Sequence, residues 1–121
     1  MPENMALRSD EKIYTQVARS LEDDIISGLI REGEPVPSTH HYAAYFEINP
    51  STAAKGVALL SSAGLLTKKR GIGLFVAEGA REQILERRRE EFKKRTLASL
   101  LDEAARIGVS KRDLIAMIAS A

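Results

Sequence analysis

The chain has 121 residues, 44% of them hydrophobic and 29% charged. That is enough for one small domain with an appendage and too little for a barrel or doubly wound enzyme fold. Its 18 basic and 17 acidic residues leave a net charge of +1, which excludes a uniformly polycationic nucleic-acid coat. The absence of cysteine excludes disulfide frameworks, thiolate nucleophiles and cysteine-based zinc sites.

Charge-free runs reach only about a dozen residues, short of the roughly 18 that a membrane-spanning helix needs. The opening MPENMALRSDEK has no signal-peptide apolar core, so the expected location is the cytoplasm, with no membrane partner. The charge is unevenly spread. Acids such as Glu22, Asp23, Asp24, Glu32 and Glu34 outnumber bases up to Glu47, whereas Ile48 to Ala77 holds Lys55, Lys68, Lys69 and Arg70 and no acid. A local positive field follows, although four cations taken alone are equally a solvated edge.

In chain order, Ile13, Val17, Leu21 and Ile25 recur every four residues and predict a first helix from Asp10 to Ser27. Ser9 and Asp10 suit its first turn, and Gly28 suits its end. Leu29 to Pro37 reads as an extended connection with a turn at Gly33. Ser38 is the expected N-cap of a short second helix, Thr39 to Phe46, with Tyr42, Ala43 and Phe46 turned toward the first.

Asn49 and Pro50 set a capping side chain before a proline at the first helical position, so a third helix begins there. It should run to about Ala63, bury Ala53, Val57 and Leu60, and stop at Gly64. Leu65 to Arg70 and Ile72 to Ala77 flank Gly71 and Gly73 and predict a hairpin. From Ala80 a run of strong helix formers predicts one long helix up to Gly108. Leu85, Phe92, Leu97, Leu100, Leu101, Ala104 and Ile107 approximate a seam of threes and fours along it. Ser110 to Asp113 resembles a capping box opening a last short helix with Leu114, Ile115 and Ile118. Two such helices cannot bury their apolar face alone.

The expected fold is therefore mainly α with a small β-hairpin: a winged helix-turn-helix over residues 1–78 and a two-helix tail over 79–121. An α-helix fits the DNA major groove, and its N-terminus offers unpaired N–H groups to phosphate. Ser38, Thr39 and His40 open helix two, while Asn49, Pro50, Ser51, Thr52 and Lys55 open helix three. Lys68, Lys69 and Arg70, with Gly71 and Gly73, form the wing. Singly, these are ordinary caps, hairpin glycines and solvated lysines. Their order is what points to double-stranded DNA.

At these residues the sequence becomes specific. The segments IYTQVARSLEDDIISGLI, GEPVPS and INPSTAAKGVALLSSAGLLTKKRGIGLFV resemble the DNA-binding domain of GntR-type bacterial transcription regulators. The Asn-Pro-x-Thr-x-x-Lys pattern from Asn49 to Lys55 and the short helical tail are most similar to the YtrA-like branch. The resemblance implies a repressor whose tail serves dimerisation, and the apolar positions of the two tail helices put Leu85, Phe92, Leu97, Leu100, Leu101, Ala104, Ile107, Leu114 and Ile118 at that contact. It also implies the Pro37–Ser38 turn, a recognition helix starting over Asn49 to Lys55, and a wing at Arg70, Gly71 and Gly73. Two positions depart from the family pattern. His40 stands where many members carry a DNA-contacting arginine, and imidazole is the weaker phosphate partner at neutral pH. Ala53 stands where a larger aliphatic residue is common, which implies looser helix packing.

Other classes fit less of the chain. Adjacent His40 and His41 point about 100° apart on a helix, unlike paired helical zinc ligands. Ser38 near these histidines lacks a nucleophile elbow, and Gly71-Ile72-Gly73 lacks the rest of a dinucleotide fingerprint. No enzymatic reaction, cofactor or metal is expected. A protein-interaction adaptor using the long amphipathic helix accounts for the tail and leaves the ordered front half unexplained. Operator sequence, target genes and any small-molecule effector are not legible.

Overall fold

In the computed structural model, residues 9–121 are described, with side chains from Ile13 onward. The expected first-turn role of Ser9 and Asp10 lies outside the described side chains. Helix α1 spans Ser9–Ser27 and buries Val17, Ala18, Leu21 and Ile25. Ile13, the first residue of the predicted stripe, is half-buried. The helix stops at Gly28, whose φ of +86° is cheap only for glycine.

Helix α2, Thr39–Phe46, begins where Ser38 Oγ accepts the His41 N–H, and it buries Tyr42 and Ala43 while Phe46 packs partly against the core. It ends at Glu47, which takes a left-handed φ of 55° usually filled by glycine or asparagine. Helix α3, Pro50–Ser62, buries Ala53, Gly56, Val57 and Leu60. These four positions form the i, i+3, i+4, i+7 stripe of a core-facing helix. The predicted Ala53, Val57 and Leu60 are all there, and Gly64 terminates the element with φ +78°.

The looser packing inferred at Ala53 is not found. Ala53 is fully buried, and the α3 backbone closes on α1 at Gly56, where an added Cβ would meet Tyr14 O at 2.6 Å. Small residues here bring the helices together rather than leaving a gap.

Strands β1, Leu66–Lys69, and β2, Gly73–Val76, pair antiparallel, Leu66 opposite Val76 and Lys69 opposite Gly73. The connection after α1 adds to this hairpin. Gly33 N–H donates to Val76 O at 2.8 Å, Val76 N–H to Glu34 O at 3.0 Å, and Val36 N–H to Leu74 O at 2.9 Å. Residues 33–36 thus lie along the free side of β2, with Pro35 bridging Phe75. A two-stranded ribbon is marginal in water, and this third segment supports it.

Helix α4, Ala80–Glu91, follows. Ala80 and Ile84 belong to the same core as α1 to α3 and the hairpin, so the first compact unit extends to Ile84. Burying a side chain such as Leu21, Ile25, Leu60 or Ile84 is worth about 1.5–3 kcal/mol.

The single long helix expected from Ala80 to Gly108 is corrected. A π-helical segment, Phe92–Leu97, separates α4 from α5, Ala98–Arg106. The interval from Phe92 to Leu97 is five residues, which interrupts the threes and fours of an α seam. A π turn bonds residues five apart and stacks them along the axis. Helix α6, Lys111–Ser120, starts as expected, with Ser110 Oγ accepting the Asp113 N–H at 3.1 Å.

Within the second compact unit, from Leu85 on, only Ala104 and Leu114 are buried. An open groove of about 510 Å³ runs between α5 and α6, lined by Leu101, Ala104, Val109 and Leu114 among others. Leu85 and Leu101 are half-buried, while Phe92, Leu97, Leu100, Ile107 and Ile118 are exposed. No helix among the described residues is long and apolar enough to cross a membrane.

Candidate nucleic-acid interface

Two successive helices present their N-termini within the first unit, and neither has an acidic residue in its first turn. The positive end of α3 thus has no carboxylate within its own first turn, which favours phosphate there, whereas at α2 the Asp24 carboxylate of α1 acts on His41 and Tyr42. At α2, Ser38 and His40 are exposed and Thr39 is half-buried. Ser38 Oγ is engaged as the cap. His40 projects one residue further on. The His41 ring lies nearly parallel to Tyr45, centroids 6.5 Å apart, and edge-on to Tyr42 at 5.3 Å.

At α3, Asn49 Oδ1 accepts both the Ser51 N–H and the Ser51 hydroxyl, each at 2.8 Å. The Ser51 proton is therefore spent on the cap, and its oxygen faces outward as an acceptor. Thr52 is half-buried, whereas Ser51 and Lys55, one turn apart, are exposed on the same side. The Lys55 ammonium stands 6.0 Å from the Tyr14 ring centroid, at the outer limit of a cation–π contact. Ala54 and Ala58 are also exposed on this helix. The sequence reading singled out neither, because small apolar side chains carry no motif.

The hairpin divides the predicted wing cations. Alternation along β1 puts Lys68, opposite Leu74, on the face of Leu66 and Val76, and puts Lys69 on the other face. There Lys69 Nζ sits 4.3 Å above the Phe75 ring centroid. Arg70 is exposed in the turn that follows, closed by Ile72 N–H donating to Lys69 O at 2.9 Å. Gly71 takes φ +74° at the third position of this turn, a conformation costly for any residue with a Cβ. The site residues named from the sequence thus share one compact unit, but Lys68 and Lys69 point to opposite sides. No group of three or more His, Asp or Glu among the described residues could hold a metal ion.

Residues 13–76, more than half the chain, match the family described as bacterial regulatory proteins, gntR family. The chain belongs to the GntR family. It is 27% identical over 107 residues to the HTH-type transcriptional repressor YtrA of Bacillus subtilis (strain 168), covering 88% of this chain and 82% of that protein. A GntR-family transcriptional regulator from Bacteroides thetaiotaomicron is 33% identical and superimposes with a TM-score of 0.72, covering 89% of this chain and 94% of its own. The fold also resembles BusR of S. agalactiae, solved with its busA-promotor DNA, at 23% identity and a TM-score of 0.59 over 86% of this chain and 52% of that one. This GntR-family protein is a transcription regulator with a DNA-binding helix-turn-helix, not an enzyme.

Proposed function

We propose that the protein is a cytoplasmic homodimeric repressor acting on a two-fold symmetric DNA operator. Each protomer would place the start of α3 in the major groove, with Asn49, Pro50, Ser51, Thr52 and Lys55 near base edges. Ser38, Thr39 and His40 would meet phosphate, and Lys69 and Arg70, turned by Gly71 and Gly73, would meet backbone or minor groove. Residues 1–78 carry the DNA contact in this reading and residues 79–121 the dimer. The repressor assignment follows the similarity to YtrA.

The observation that carries the dimer is the tail's unburied apolar surface. Phe92, Ile107, Ile115, Met117 and Ile118 are each more than half exposed, with Leu97 and Leu100 close behind. Exposed apolar side chains in this number mark a surface that another chain covers. In this reading Leu85, Leu101, Ala104 and Leu114, half-buried or buried within a protomer, complete the dimer contact. Symmetry then requires half-sites one helical turn, about 10 bp, or a multiple apart.

The test combines sedimentation with a salt series on DNA selected from genomic fragments. Two phosphate contacts per protomer, from Lys69 and Arg70, predict an affinity loss of about 10²-fold between 50 and 200 mM salt for the dimer. A monomer at tens of micromolar that stays monomeric on DNA would overturn the dimer. Absence of DNA binding near 50 mM salt would favour the adaptor reading.

A further inference from the structure

The N-terminus of α4 is capped from far away in the chain. Gly79 stands immediately before the helix and has no side chain to offer, and its φ is +83°. The cap comes from Glu32, in the turn after α1. Glu32 Oε1 accepts the Gly79 N–H at 3.0 Å and Oε2 accepts the Arg81 N–H at 3.2 Å. Arg81 reaches the opposite way, its Nε donating to Ile26 O at 2.9 Å in the last turn of α1. Between these polar ties, Ala80 and Ile84 are seated in the core. All of these groups lie within the first compact unit.

A helix that only needed a cap would find it in a serine or aspartate just before its first residue. Here the polypeptide uses a carboxylate 47 residues earlier, and a guanidinium bonded to one carbonyl, that of Ile26, in the last turn of α1. The arrangement fixes the first turn of α4 against two other parts of the winged domain at once. The two donated N–H groups also hold the Glu32 carboxyl below the usual glutamate range, so the charged, accepting form is present at neutral pH.

We propose that Glu32, together with Arg81, is a positioning pair that sets the direction in which α4 leaves the winged domain, and thereby the half-site spacing that the dimer accepts. This rests on the dimeric reading above. Neither side chain needs to touch DNA. Rigid coupling at the root of α4 narrows the set of separations two DNA-binding units can reach; loosening it broadens that set and leaves each unit's own contact intact.

The test uses the full chain and its selected operator, with the spacer between half-sites changed one base pair at a time across about one helical turn. Affinity for each spacing is measured beside affinity for a DNA with a single half-site, for wild type, Glu32→Ala, Glu32→Gln and Arg81→Lys. Wild type should prefer one spacing by about tenfold or more, and Glu32→Ala should flatten that preference while single half-site affinity stays within about twofold. Glu32→Gln retains one carbonyl acceptor and should fall between. Arg81→Lys, which cannot reproduce the fixed guanidinium geometry, should flatten it in part. Circular dichroism checks that each variant remains folded.

If Glu32→Ala keeps the wild-type spacing profile, or loses single half-site affinity to the same degree as operator affinity, the positioning role is wrong. If Glu32→Ala does not fold, Glu32→Gln decides on the same two criteria. A wild-type chain that sediments as a monomer and stays monomeric on DNA removes the dimeric reading and this inference together; a wild-type dimer with no spacing preference, or an unaltered preference in the variants, removes this inference alone.

Discussion

Gly56 is the tightest point between α1 and α3, and replacing it with alanine sets two effects against each other. An added Cβ would stand 2.6 Å from Tyr14 O, 2.7 Å from Val17 Cβ and 2.8 Å from Val17 Cγ1. Ordinary contact begins at 3.4 Å, so the helices must part by about 0.8 Å, the difference between 3.4 and 2.6 Å. A gap of roughly 0.5–1 Å forfeits a quarter to a half of the dispersion attraction of each facing atom pair. Overpacking of this kind costs about 1–3 kcal/mol, while the helix propensity gained on replacing glycine by alanine returns about 1 kcal/mol. With a backbone oxygen at 2.6 Å the upper part of that cost applies, about 2–3 kcal/mol, so net destabilisation of about 1–2 kcal/mol is expected, a fall in melting temperature of about 4–8 °C for each kcal/mol. Thermal and urea unfolding followed by circular dichroism measure it. Because the nearest atom is a backbone oxygen, adding Val17→Ala should not rescue the variant. A Gly56→Ala protein that melts at or above wild type, as helix propensity alone requires, would refute the close approach.

Three further outcomes are expected. The Tyr42 hydroxyl is buried with no hydrogen-bond partner among the described residues, so Tyr42→Phe should leave stability unchanged or raise it by about 1 kcal/mol in urea titrations. Burial, aided by the negative charge of Asp24, pushes that phenol up to about 12. Its folded pKa lies above the unfolded value near 10, so the associated stability is present below pH 10 and lost as pH rises toward 12; Tyr42→Phe should lessen this alkaline loss. Glu47→Gly should raise the melting temperature, since it relieves a left-handed residue costing about 1–2 kcal/mol and removes a carboxylate from the C-terminus of α2. Asn49→Ala removes the acceptor of both Ser51 bonds and should cost about 0.5–2 kcal/mol in thermal unfolding.

The parts of the fold that follow from local chemistry were legible in the sequence. Ser38, Asn49 with Pro50, and Ser110 cap helices where residue type and position agree, and the buried stripe of α3 falls where its spacing puts it. What escaped depends on partners distant in the chain. Glu34 and Val36 read as a turn and an extended run because their hydrogen bonds go to Leu74 and Val76. Glu32 carries no local sign that it caps α4. The π segment was visible only as one irregular interval in the apolar seam, between Phe92 and Leu97. At the candidate site, the separation of Lys68 from Lys69 follows from the two-residue period of any strand; treating the three basic residues as one patch concealed it. Ala53 misled because volume was judged at one position, without Gly56 and the close passage of α1.

Strand β1 also bears on solubility. Among the described residues it pairs only with β2, which itself lies between β1 and residues 33–36, so no described segment claims the outward backbone donors and acceptors of β1. Such a border invites another chain to add a strand, and lysines on a short border strand discourage it. β1 has four residues, and Lys68 and Lys69 are two of them. Whatever either lysine contributes to DNA affinity, both are placed where charge opposes border-to-border stacking of protein copies. A double alanine variant made to weaken DNA binding should therefore be more prone to precipitate at high concentration, and mutational data on the wing should be collected at concentrations where light scattering shows none.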